Sequence, residues 1–308
     1  MASFILSKDR VLPGVALMIG FCLIAPLIDV ASKLASAEVP VGQVTLARFV
    51  VQAALMAPLM LLYRLPWGMS AAVAWLVFWR ALVSILSTYT FVAAVQVMPI
   101  ADALAIAFVE PFIILLVGKL VYGEAVGPRR LMAAVIGFCG ALLVIQPSFA
   151  AFGLLALFPL GTALFFALYI LMTRQLSRHM HPVAMQTHTA TFATLMLGPV
   201  IWLAEGSGIV SLDPVLPQGI FWGWLFGVGL AATVSHMFIT YALRFAPSST
   251  LAPLHYLEIV SAVALGYLVF GDFPNWMAWA GICVIAGSGL YVIYRERLAA
   301  RRAGKALQ

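Results

Sequence analysis

Eight side chains stand out by type and by position: Asp29, Arg48, Arg80, Tyr89, Glu110, His236, His255 and Glu258. They lie inside long apolar runs, where an ionisable group is costly and by default marks a functional position. Arg80 has Ser84 and Ser87 at i+4 and i+7, with Thr88 beside them. That is one polar stripe on a helix face. A guanidinium so placed can hold a carboxylate or phosphate through two hydrogen bonds, or stack on a flat ring. A structural ion pair with Glu110 or Asp29, or an Arg80 head that reaches the membrane interface, satisfies the same pattern. Arg48 with Gln52 one turn on reads the same way. Asp29 and Lys33 stand at i, i+4 and can simply pair with each other.

His255 precedes Glu258 by three residues, so the two share a helix face, and Ser261 continues it. Histidine titrates near neutrality and a carboxylate can exchange protons with it, so the pair suits a coupling proton. Glu110 is followed by Pro111, and Pro253 lies five residues before Glu258. Proline frees a carbonyl in the preceding turn, which suits a helix kinked beside a cavity. The alternative is that both glutamates anchor structural hydrogen-bond networks. Thr233, His236 and Thr240 form a further stripe. Tyr89, with Trp79, Phe91, Phe108, Tyr241 and Tyr256, offers surface for an aromatic ligand, although such residues in membrane helices more often pack or anchor. His179 and His181 have metal-like spacing but no third ligand, and no cofactor is expected. Cys22, Cys139 and Cys283 are far apart and odd in number, which argues against a disulfide framework or a zinc site.

The elements that carry these groups follow from composition. Of 308 residues, 64% are apolar and only 9% charged, with mean hydropathy +1.07. A soluble domain runs about 25% charged. A soluble enzyme, a disordered chain and a nucleic-acid binder are excluded. A helix needs about 20 apolar residues to cross a bilayer. Ten such runs are readable, roughly 11–31, 42–62, 72–96, 101–121, 130–147, 153–173, 183–204, 219–243, 248–270 and 276–294. The first is too long for a signal-peptide core and holds Pro26 and Asp29, so it reads as a retained span. Gly137 and Gly140, and Gly281, Gly287 and Gly289, suggest close helix packing.

Basic residues set the orientation. With the N-terminus in the cytoplasm, the inner segments hold Lys8, Arg10, Arg64, Arg129, Arg130, Arg174, Arg178 and Arg244, then Arg295, Arg297, Arg301, Arg302 and Lys305 in the tail. The opposite loops hold Lys33 with Glu38, then Glu205, Asp213 and Asp272. Both termini are therefore expected inside. The net charge of +6 then marks topology and contact with anionic lipid, not nucleic acid.

Shifted by 148 positions, Pro99–Ile145 lies over Pro247–Ile293 without a gap. Pro99 meets Pro247, Glu110 meets Glu258, Gly118 meets Gly266, Gly123 meets Gly271 and Glu124 meets Asp272. Shared composition does not produce paired prolines, glutamates and Gly-acid turns in one register. Five spans per unit force the second unit to enter the membrane from the other side, an inverted repeat of the kind secondary transporters use.

Pro99-Ile100-Ala101-Asp102-Ala103 through Val121-Tyr122-Gly123-Glu124, and Phe245-Ala246-Pro247 through Phe270-Gly271-Asp272, resemble the EamA-type drug/metabolite transporter superfamily. The resemblance covers nearly the whole chain. It implies an all-α integral membrane protein of ten transmembrane helices in two inverted five-helix (EamA) repeats. The first repeat is expected at 11–147, the second at 153–294, and a basic cytoplasmic tail at 295–308. Asp29 to Lys33, Pro40 to Gln43 with Arg48-Phe49, and Arg80 look like the branch with bacterial riboflavin, S-adenosylmethionine and metallophore transporters. Ile100 to Ile106 with Val109-Glu110-Pro111 most resembles its riboflavin-importing members.

The resemblance implies riboflavin uptake across a bacterial inner membrane by alternating access. An exporter of amino acids or other metabolites, S-adenosylmethionine-type uptake, an intramembrane enzyme using Glu258 and His255, and a sensor or assembly subunit stand as alternatives. The expected partners are a small-molecule substrate, membrane lipid and protons as coupling ion, with a homodimer left open and no nucleic acid. The chain has no Walker A, His-Glu-x-x-His or Gly-x-Ser-x-Gly sequence, so ATP hydrolysis and hydrolase chemistry lack their parts.

Overall fold

The computed structural model of the chain describes residues 10–98, 100–121, 123–124, 126–145, 153–271 and 275–305. Lys8, Pro99 and Asp272, and the side chains of Asp102 and of the tail's Arg297, Arg301, Arg302 and Lys305, lie outside the described residues. Every regular element among the described residues is helical, as an apolar chain requires when lipid offers no partner for backbone amides. In order these are α1 (Val11–Ile24), α2 (Pro26–Ala35), α3 (Val41–Leu62), α4 (Ala71–Val97), α5 (Ile100–Ala107), α6 (Glu110–Leu120) and α7 (Pro128–Ile145). A 3-10 turn (Gly153–Ala156) leads into α8 (Leu157–Leu176), then α9 (Pro182–Leu203) and α10 (Phe221–Phe245). The short α11 (Ser248–Leu251) and a 3-10 turn (Ala252–Leu257) precede α12 (Glu258–Phe270) and α13 (Trp276–Lys305).

Among the described residues six stretches are long and apolar enough to cross a membrane: Val11–Ala35, Val41–Leu62, Ala71–Val97, Gly153–Leu176, Phe221–Phe245 and Ser248–Val269. Trp279–Arg295 is a shorter apolar helix. The other expected spans depart from the simple pattern for visible reasons. The 101–121 run is broken between α5 and α6. Residues 182–203 carry Gln186, Thr187, His188 and Thr189 in one turn. Residues 128–145 begin on Pro128-Arg129-Arg130. The last helix also runs past the expected limit at 294 to Lys305, because arginine and alanine after Tyr294 are good helix formers.

The internal repeat is visible in the backbone. Glu110 and Glu258, 148 positions apart, each begin a helix. Gly123 (φ 64°) and Gly271 (φ 77°) each turn left-handed after that helix, a conformation glycine adopts without strain. Contacts between the equivalent helices α7 and α13 are reciprocal. Ser288 donates to the Ala133 carbonyl at 2.8 Å, and a Cβ on Gly140 would stand 3.1 Å from the Gly281 carbonyl oxygen. Residue 140 corresponds to 288 and 133 to 281, so each helix offers the other the same surface, the signature of a twofold relation. The two helices run antiparallel. Phe108 and its counterpart Tyr256 touch, with ring centroids 5.6 Å apart and the Tyr256 hydroxyl donating to the Phe108 carbonyl at 3.1 Å.

Small residues set the closest approaches. A Cβ on Gly229 would stand 2.3 Å from the Val51 Cβ and 3.2 Å from the Arg48 carbonyl oxygen, so α10 meets α3 with no room for a side chain. Gly229→Ala is expected to cost about 1–3 kcal/mol through overpacking, read as a lower melting temperature in detergent. An unchanged melting temperature would mean that α3 and α10 part freely. His181 serves as a helix cap. Its Nδ1 accepts from the Val183 amide at 3.3 Å and caps α9, and partial burial beside Arg244 pushes its imidazole down from the usual value. No metal-binding group of three or more ligands occurs among the described residues.

Candidate functional site

Among the described residues three apolar stretches are interrupted near their middles, and each interruption places an acid in the first turn of the helix that follows. Pro26 starts α2 and puts Asp29 in its first turn. The chain turns at Phe108–Val109, and Glu110 opens α6 with Pro111 behind it. Pro253 lies in the 3-10 turn before Glu258 opens α12. Unpaired amides at a helix start favour a negative side chain. Broken helices persist at membrane depth only where protein or a cavity covers the break. Here all three acids line one cavity of about 110 Å³. Arg48, His236 and His255 join them, with Ser84, Ser87 and Thr88 and the rings of Phe21, Phe91, Phe108 and Phe166.

His255 bridges the halves. Its Nδ1 lies 2.9 Å from Glu110 Oε2 and its Nε2 2.8 Å from Glu258 Oε2. Both glutamates and the histidine are buried. Each contact requires one proton between its heavy atoms. The triad therefore holds two protons and a net charge of −1, however they are shared. Phe21, Phe166 and Phe108 surround the imidazole, with centroids at 5.3, 5.6 and 6.2 Å. Glu110 Oε1, Asp29 Oδ2 and Arg48 Nε are buried polar atoms without a hydrogen bond to protein, and all three belong to cavity-lining residues.

Arg80 stands apart from this lining. It is fully buried in a cage of hydroxyls. Its Nε donates to Thr173 Oγ1 at 2.8 Å, one Nη to Thr189 Oγ1, and the other to the Tyr169 hydroxyl at 2.7 Å. The guanidinium carbon also sits 4.3 Å from the Tyr169 ring centre. Neither Glu110 nor Asp29 is its partner. Tyr169 passes the connection on to His236 Nδ1 at 2.8 Å, and His236 Nε2 meets Arg48 Nη2 at 2.9 Å. Since Arg48 can only donate, His236 accepts at Nε2 and carries its proton on Nδ1. Gln186 ties the same cluster together, donating to the His236 carbonyl and Thr240 Oγ1 and accepting from Gln52.

Of the eight residues singled out from sequence, Asp29, Arg48, Glu110, His236, His255 and Glu258 thus meet at one cavity. Arg80 lies one layer behind it, although the serines and threonine of its stripe do line it. Tyr89 packs instead in the cluster around Ala31, Val92 and Val228. Residues that sequence reasoning passed over are Tyr169, Thr173, Gln186, Thr189, Phe21 and Phe166. Tyr169 and Thr173 at i, i+4, and Gln186 with Thr189 at i, i+3, were polar signals inside apolar runs.

Comparison with known proteins places this geometry in context. The chain is 28% identical over 213 residues to a riboflavin transporter of Brucella anthropi, covering 69% of this chain and 74% of that protein. It is 26% identical over 204 residues to a pseudopaline exporter of Pseudomonas aeruginosa, covering 66% and 69%. It is 23% identical over 226 residues to an S-adenosylmethionine uptake transporter of Rickettsia conorii, covering 72% and 73%. A crystal structure whose chain is 19% identical superposes with a TM-score of 0.71, covering 94% of this chain and 98% of that one, a likeness of fold alone. The family of EamA-like transporters matches twice, over residues 12–146 and 152–295. Repeat, broken helices and sequence therefore agree that the chain belongs to the EamA-like transporter family, as a multi-pass membrane protein of two repeats.

Proposed function

We propose that the protein takes up riboflavin across the bacterial inner membrane by alternating access. In this reading ten segments cross the membrane as two inverted halves, 11–147 and 153–294, with both termini cytoplasmic. Asp29, Arg48, Glu110, His236, His255 and Glu258 contact the substrate or its coupling proton, and Arg80 positions them. Tyr89 serves packing. The transporting unit is one chain, because a single copy supplies the whole lining.

The charge balance of the cavity carries the substrate choice. At ordinary charges the lining and the buried layer behind it together sum to zero: Arg48 and, in that layer, Arg80 contribute +2, Asp29 −1 and the two-proton triad −1. An uncharged substrate enters such a site without leaving a buried charge uncompensated. Riboflavin is uncharged, with a flat ring system that suits the phenylalanine walls and hydroxyls that suit Ser84, Ser87 and Thr88. S-adenosylmethionine carries a sulfonium cation that this balance does not match. A cavity of about 110 Å³ holds at most about ten waters, so the loaded state is wider than this one.

The test is uptake of labelled riboflavin by proteoliposomes, with unlabelled S-adenosylmethionine as competitor. Saturable uptake that the competitor leaves unchanged supports the reading. Absence of riboflavin uptake by folded protein overturns the substrate, and uptake of another solute would leave the transport class standing. If the triad carries the coupling proton, initial uptake rises as the outer pH falls from 8 to 5, because a third proton neutralises the triad on loading. A flat profile removes proton coupling.

A further inference from the structure

We infer that Glu124 with Ser248 and Ser249 is the gate that closes the substrate path at the end of the molecule carrying the basic loops. Glu124 follows the left-handed Gly123 at the close of α6 in the first repeat. Its two oxygens reach across to the second repeat, where Oε1 accepts from Ser248 Oγ at 2.7 Å and Oε2 from the Ser249 amide at 2.8 Å. Arg130, from the start of α7, donates to Ser249 Oγ at 3.2 Å. One acid thus fastens the two halves to each other at their junction.

Two observations make this contact a gate. The main cavity reaches Ser32, Val92, Leu104 and Thr162, which all lie toward the helix ends away from Glu124. On the Glu124 side, among the described residues, a void of about 10 Å³ continues inward from the triad, room for about one water. That void is lined by Glu110 and His255 at its inner end and by Ser248 at its outer end, with Ile114, Leu243 and Leu251 between. The closed path therefore runs from the triad to the Glu124 contact.

The repeat gives the second observation. The positions equivalent to Ser248 and Ser249 are Ile100 and Ala101, which have no hydroxyl for an acid to hold. The Ser248 side-chain bond has no counterpart in the other repeat, and the wide cavity lies at that other end. Opening the halves at Glu124 would join the void to the basic side and pinch the wide end, since inverted halves rock against each other.

The inference rests on the transport reading, but its test needs no substrate, so the two fail separately. Leu251→Cys, on the void, and Ser32→Cys, at the wide end, are made singly in protein with Cys22, Cys139 and Cys283 replaced by alanine. Labelling by a water-soluble thiol reagent is timed in nanodiscs. Glu124→Ala is expected to raise the rate at position 251 about tenfold and to lower it at position 32. Ser248→Ala alone gives a smaller change of the same sign, and adds nothing in the Glu124→Ala background. Unchanged rates, additive effects of the two substitutions, or faster labelling at both positions would overturn the proposal, the last by showing general loosening. If Glu124→Ala does not fold, Ser248→Ala decides by the same two rates.

Discussion

His255→Ala is expected to abolish uptake, and adding Glu110→Gln and Glu258→Gln is expected to restore stability but not transport. His255 is the only described contact through which the two repeat-equivalent glutamates meet, at 2.9 and 2.8 Å. Removing the imidazole leaves two carboxylates facing one buried hole, an unpaired arrangement that costs about 3–5 kcal/mol. Neutral amides lift that cost, so the triple variant should regain most of its melting temperature. Its triad positions can no longer accept or release a proton, so uptake stays at background if the triad carries the coupling proton. If uptake returned together with stability, the triad would be a structural clamp and proton coupling would fall. Glu258→Gln alone is the milder version, with near-normal folding and transport lost.

Arg80→Ala is the second large effect, and its cause differs from a lost ligand contact. The substitution takes one hydrogen-bond partner each from Thr173, Thr189 and the Tyr169 hydroxyl in a buried interior and opens a hole beside the Tyr169 ring. Side-chain bonds between membrane helices are worth about 0.6 kcal/mol each on average. Three of them plus the empty volume give roughly 2–5 kcal/mol. The variant should insert, melt well below the parent and show no uptake. Arg80→Lys keeps the charge but loses the planar fork, so it should recover part of the stability and little of the flux. Normal uptake by Arg80→Ala would mean that the chain of contacts through Tyr169 and His236 to Arg48 positions nothing that transport needs.

Much of this arrangement was legible in the residues. The 148-residue register predicted that Glu110 and Glu258 are equivalent, and both open helices after a break. Proline placement predicted a kink beside Glu110 and beside Glu258, whereas Pro26 reads in the sequence only as evidence against a signal peptide, and the break before α2 goes unforeseen. What periodicity cannot convey is distance between elements. Nothing in the spacing of Arg80 tells that three hydroxyls from α8 and α9 accept from its guanidinium, because those partners lie 89 to 109 positions away. The stripe Arg80, Ser84, Ser87, Thr88 was one face, yet a long side chain at its end reaches a different neighbour from the short ones. Hydropathy was weakest for α9, where the polar turn at 186–189 that lowers the apolar signal is the same turn that anchors the cluster. Tyr89 shows the converse limit, since an aromatic ring in a membrane helix fits a binding wall and a packing cluster equally well on sequence grounds.

The interruptions at Pro26, Glu110 and Glu258 also bear on which amides exchange with deuterium. In most folded chains exchange is fastest at fraying ends and slowest in the centre. Here, among the described residues, the ladder of backbone bonds is cut near the centre three times, beside a cavity lined by charged and hydroxyl side chains. Peptides covering 24–30, 106–112 and 252–259 should exchange earlier than the middles of α3 and α10. Protection measured along the chain would then dip at mid-membrane, so that the place where the protein does its work is also where its backbone opens most readily.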